Sequence, residues 1–74
     1  MDVAVGHQYE VIRINASCKD SYRQKLLAMG FTPGVRFCAL KRAPFKGPIA
    51  IRLRGFMLSL RPLEFRCLDL KEVG

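Results

Sequence analysis

One stretch, Leu26-Leu27-Ala28-Met29-Gly30-Phe31-Thr32-Pro33-Gly34, limits what this chain can fold into more than any other. It reads as a helix end, a stop and a tight turn. Gly30 suits the left-handed position just past a helix C-terminus, and Phe31 is placed to fold back onto Leu26. Thr32-Pro33-Gly34 reads as a type II turn, with Pro fixing φ at the second position and Gly taking positive φ at the third. Upstream, Tyr22, Leu26 and Met29 recur on one helical face, which predicts a helix over Ser21–Met29. Ser17 or Asp20 is the expected cap, in a pattern resembling a capping box.

Everything else reads as short strands. Tyr9–Ile14 is rich in β-formers, and Val35–Arg42 follows the turn. Pro44 and Pro48 bracket Phe45-Lys46-Gly47 in a loop. Ile49–Arg54 alternates cleanly, with Ile49, Ile51 and Leu53 inward and Arg52 and Arg54 outward. Arg54-Gly55 is a reversal into Phe56–Leu60, where Phe56, Leu58 and Leu60 share a side. Pro62–Phe65 predicts one short 3₁₀-like turn, and Cys67–Lys71 a last strand with Leu68 and Leu70 inward. Five short strands and one or two short helices in 74 residues predict a mainly β fold, a small barrel forming one domain over residues 1–74. Barrel closure removes the strand edges a flat sheet of this size would expose.

The charges are unevenly placed. The net charge is +7, yet no acid occurs between Ser21 and Leu63, a stretch carrying nine of the 13 cations. The acids Asp2, Glu10, Asp20, Glu64, Asp69 and Glu72 lie towards the two ends. A basic body of this kind attracts an acidic protein surface, an anionic membrane face or nucleic acid. The outward strand positions carry no interleaved aromatics for base stacking, and no recognition helix stands out. A nucleic-acid-binding module is therefore the alternative reading rather than the first.

Catalytic chemistry finds no support. There is one histidine, His7, no adjacent carboxylate pair, and no glycine-rich phosphate loop. A domain this thin is also expected to lack a pocket of the usual size, roughly 300–1,000 Å³. Cys18, Cys38 and Cys67 are odd in number and widely spaced, and they read as reduced, mostly buried thiols rather than as metal ligands. No cofactor or metal site is expected. The opening residues Met1–Gly6 have no basic, apolar leader, and no apolar run would span a bilayer, which points to the cytosol.

Two surfaces are candidates for binding. One is the helix and its turn: Tyr22, Arg23, Leu26 and Leu27, with Leu27 about 100° round the helix from Leu26 and so at the rim. The other is the Ala43–Pro48 loop, whose Phe45 either anchors a partner or folds back to plug the barrel. Arg52 and Arg54 complete the candidate set.

The ordered motifs resemble a known family. Met29-Gly30-Phe31-Thr32-Pro33-Gly34 resembles the L-G-hydrophobic-x-P-G segment of FeoA proteins, small cytoplasmic accessory proteins of bacterial ferrous-iron transport. Ala43-Pro44 with Gly47-Pro48-Ile49 resembles their A-P-x-x-G-P-I loop, and Leu58-Ser59-Leu60-Arg61 their L-A-L-R strand. Met29 and Ser59 stand where Leu and Ala are common. The resemblance implies an SH3-like barrel without enzymatic activity. It also implies a partner, the cytosolic GTP-binding region of the membrane transporter FeoB, and exposed apolar side chains leave self-association open.

Overall fold

The computed structural model describes residues 3–73; Asp2, one of the six acids, lies outside them. The elements run β1 (Gln8–Ile14), α1 (Asp20–Ala28), β2 (Arg36–Arg42), β3 (Ile49–Leu53), β4 (Phe56–Leu60), α2 (Pro62–Phe65) and β5 (Leu68–Val73). The strands form one antiparallel sheet in the order β4-β3-β2-β1-β5. Two register shifts, between Val11 and Arg13 on β1 and between Ala39 and Lys41 on β2, bend it. An extra residue in one strand raises local twist and curls the sheet around its inner face.

The segment after α1 closes as its residue types dictate. Phe31 N–H donates to the Leu26 carbonyl and Gly30 N–H to the Leu27 carbonyl, a complete Schellman motif. Gly30 sits at φ +99°, and a Cβ there would meet Leu53 Cδ2 at 3.3 Å. Both the conformation and the space therefore require glycine. Val35 N–H donates to the Thr32 carbonyl, closing the turn, and Gly34 N–H donates to Val11 at 2.7 Å. The turn is thereby stitched to β1.

The core is aromatic at its centre. Phe37 stacks with Tyr9 at 5.8 Å, meets Phe31 edge-on at 5.8 Å and lies 6.1 Å from Phe65. Tyr9, Val11, Leu26, Phe31, Ile51 and Leu60 are fully buried around it. Each such side chain contributes roughly 1.5–3 kcal/mol by leaving water. The Tyr9 hydroxyl accepts from Ala4 N–H at 2.7 Å, so its polar end is satisfied.

Several expectations are corrected. Lys19, not Ser17 or Asp20, occupies the N-cap position of α1, with no side-chain cap; Ser17 Oγ turns instead to Asn15 Oδ1. Asp20 falls inside the first turn, where its charge still suits the helix dipole. α2 is one α-helical turn rather than a 3₁₀ turn. Phe56, the first residue after the hairpin turn, is 70% exposed although its partner Leu53 is buried. Cys18 and Cys67 are joined as a disulfide rather than standing as separate thiols. Their Cα atoms are 5.0 Å apart across 49 residues of sequence, within the usual bridging range. Cys38 is free and half-buried.

The β1 and β5 strands run edge to edge, with Gln8 opposite Val73, and His7 Nδ1 lies 3.1 Å from Glu72 Oε1.

Candidate binding site

The hairpin of β3 and β4 decides what meets what. Its two-residue turn, Arg54-Gly55, has both residues at positive φ. From it the pairs run Leu53–Phe56, Ile51–Leu58 and Ile49–Leu60. One step further out, Pro48 leaves β3 beside the point where Arg61 leaves β4. The β2–β3 loop is thus brought against the α2 turn.

Between them lies an open cleft of about 420 Å³ lined by Lys46, Gly47, Pro48, Arg61, Leu63 and Arg66, among others. A second, of about 360 Å³, shares Lys46, Pro62 and Arg66 with it and adds Arg42 and Phe65. These volumes fall within the range for ligand sites, correcting the expectation that so thin a domain has none. The two clefts together carry four cations and no acid.

The nearest acid is committed elsewhere. Glu64 is 2% exposed and faces α1, where Lys25 Nζ lies 2.6 Å from its Oε2 as an ion pair without hydrogen-bond alignment. Its other oxygen accepts from Arg61 N–H at 2.8 Å. Burial alone would raise this carboxyl's pKa. The Arg61 N–H and the Lys25 ammonium, with the charge of Arg61, outweigh burial and hold it below the usual carboxylate value. Glu64 therefore stays ionised and ties α2 to α1.

The residues singled out from sequence divide. Leu26 is fully buried and Tyr22 half-buried against the core, so both hold α1 in place. Arg23 donates to the Asn15 carbonyl at 3.0 Å, fixing the lead-in to the helix. Leu27 is 45% exposed and Phe45 is 99% exposed, so Phe45 does not plug the barrel. Phe45 and Lys46 both sit at positive φ, 59° and 58°, an unfavourable conformation for residues with side chains. Gly47 lets the loop fold so tightly: a Cβ there would come 2.9 Å from Ala43 Cβ.

Arg52 lies exposed on the outer face opposite Met57, and Arg54 at the hairpin turn. The β2–β3 loop and that turn are at opposite ends of β3, so the structure does not gather Phe45 and Arg54 into one patch. It does bring Tyr22 near the α2 turn, where Leu63 and Arg66 line a hollow with it. Arg42, Arg61, Leu63 and Arg66 were missed in the sequence. Part of the signal was available, since counting outward from Arg54-Gly55 places Pro48 beside Arg61, but Arg42, Leu63 and Arg66 do not follow from it.

No group of three or more His, Cys, Asp or Glu side chains among the described residues could hold a metal ion. Among them, no helix is long and apolar enough to cross a membrane.

Comparison with known proteins agrees with this architecture. The FeoA domain model matches residues 1–69. The chain is 32% identical to a FeoA-like protein from Clostridium acetobutylicum, covering 97% of this chain and 81% of that one, with a TM-score of 0.86. Against iron(II) transport protein A from Clostridium thermocellum the identity is 25%, the coverage 96% and 43%, and the TM-score 0.85. A zinc-complexed FeoA from Stenotrophomonas maltophilia, described as a procaryotic SH3 domain protein, shares 16% identity over 95% and 85% of the two chains at a TM-score of 0.73, a likeness of fold. With its curled five-stranded sheet, its closed helix stop and this match over nearly its whole length, the chain belongs to the FeoA family, accessory proteins of ferrous-iron transport with an SH3-like fold.

Proposed function

We propose that this protein works as a non-enzymatic accessory subunit that docks on the cytosolic GTP-binding region of a FeoB-like ferrous-iron transporter. The observation that carries the reading is the exposure of Phe45 and Leu27 beside cations that no acid neutralises. Glu10 pairs with Arg36, Glu64 with Lys25 and Asp69 with Arg13, which leaves seven of the nine cations in the acid-free stretch without an ion pair among the described residues: Arg23, Lys41, Arg42, Lys46, Arg52, Arg54 and Arg61. The field of these cations steers encounter with an acidic surface, and an exposed aromatic supplies an anchor once contact is made. Arg52 and Arg54, at the far end of β3, add to the long-range field.

The test is binding of the full chain to the transporter's cytosolic region at low and high salt, with duplex DNA as a control. Saturable binding that weakens steeply with salt is expected. Phe45→Ala should lower affinity tenfold or more, and Leu27→Ser by less. Tight binding to DNA with none to the transporter region would instead favour a nucleic-acid module.

A further inference from the structure

We infer that the cleft between the β2–β3 loop and α2 is a receptor for an acidic peptide segment of the partner, with carboxylates on Lys46, Arg61 and Arg66 and an apolar side chain against Pro48, Pro62 and Leu63. The inference rests on the docking reading and names the contact within it.

Three observations converge on this occupant. The first is charge: the adjoining clefts carry Arg42, Lys46, Arg61 and Arg66 and no acid, while Glu64, the one acid in α2, is buried and paired with Lys25. Arginines present fixed forks that match carboxylates, so two of them flanking one turn favour acidic side chains at set spacing. The second is the floor. Leu63 is 55% exposed and, with Pro48 and Pro62, offers apolar surface within the cleft. The third is shape. Pro48, Pro62 and Leu63 line the same open cleft as Lys46, Arg61 and Arg66, so one short segment reaches apolar and cationic groups together.

A second copy of this chain is the wrong complement. It brings the same net charge of +7, counted with His7 neutral, and of the acids on its described residues only Asp20 and Glu72 have no Lys or Arg partner, Glu72 lying beside His7. Arg42 is partly engaged, since its Nη2 donates to the Val3 carbonyl at 2.6 Å, and it marks the end of the site.

The experiment has two arms. In the first, calorimetry measures the full chain against the transporter's cytosolic region. Arg61→Gln with Arg66→Gln should weaken binding tenfold or more, while the charge-matched pair Lys41→Gln with Lys71→Gln stays within twofold. Arg61→Gln keeps the backbone N–H that Glu64 accepts, and circular dichroism melts confirm that both pairs fold. In the second arm, ¹⁵N-labelled protein is titrated with a capped peptide of alternating glutamate and leucine, its glutamine counterpart, and phosphatidylglycerol vesicles. Amide shifts confined to Lys46, Gly47, Leu63 and Arg66, seen with the glutamate peptide alone, are expected.

Equal losses in both charge pairs, or peptide shifts spread over the surface, would overturn the inference. So would the same shifts from vesicles or from the glutamine peptide. If the wild-type chain ignores the transporter region yet the glutamate peptide shifts the cleft amides, the docking reading fails and the acidic-peptide site stands.

Discussion

Residues 26–35 and residues 43–48 are both punctuated by proline and glycine, and they put that punctuation to opposite use. In the first, every unusual backbone position is matched to a glycine, and Leu26 and Phe31 are fully buried although Leu27 stays at the surface. In the second, left-handed conformations fall on Phe45 and Lys46, and the aromatic ring is held in solvent. Strain of this kind costs roughly 1–2 kcal/mol per residue. It persists here because Ala43 N–H donates to the Pro48 carbonyl and Gly47 N–H to that of Pro44, closing the loop from both sides. One region builds the fold, and the other displays a side chain.

The contrast can be broken most forcefully at its two phenylalanines. Phe31→Ala removes a fully buried ring packed edge-on against Phe37 and should cost about 3–5 kcal/mol in denaturant melts, whereas Phe45→Ala should change stability by less than about 0.5 kcal/mol. Comparable losses at both positions would mean that the loop is structural after all. Next in size is the Cys18–Cys67 bridge, which ties the lead-in of α1 to β5. Its reduction, or Cys18→Ala with Cys67→Ala, should cost about 2–4 kcal/mol and lower Tm accordingly, while leaving amide shifts of residues 43–48 in place.

Gly30→Ala should destabilise by about 1–2 kcal/mol, since it introduces a Cβ at φ +99° against Leu53. The mirror test, Lys46→Gly, should stabilise by about 1 kcal/mol through relief of its left-handed conformation while weakening partner binding. The last effect is an acid limb. Because the Glu64 carboxyl has its pKa lowered on folding, the stability it contributes is fully present above the ordinary carboxylate pKa. That stability is lost as pH falls through the depressed value. Glu64→Gln should flatten the limb in melts run across that range.

These two regions also show what a sequence can carry. The helix stop was legible because each of its hydrogen bonds spans only a few residues, so Gly30, Pro33 and Gly34 are sufficient signals. The strands were legible to within a residue or two from alternation, although β5 runs to Val73, past the expected Lys71, because Gln8 and Tyr9 give its last residues partners. The Cys18–Cys67 pairing was not legible, since nothing local relates residues 49 apart. The cap of α1 misled because Ser17 had a nearer partner in Asn15. As for the candidate site, exposure at Leu27 and at the Phe45 loop tip is as local as the turn that makes it. The basic cleft depends on register carried through a whole hairpin and on Glu64 pairing with Lys25, which no window of sequence contains.

The edge-to-edge run of β1 and β5 brings the first and last strands of the sheet side by side. With Gln8 opposite Val73, a short linker could join those strands, and new ends could be opened elsewhere without unthreading the sheet. The same adjacency suits the unit to insertion: a host chain could leave and re-enter at one seam, carrying the whole barrel as a side branch. The start of the chain runs beside the cleft, where Val3 lines its second part and accepts from Arg42, so such a graft would sit next to that face.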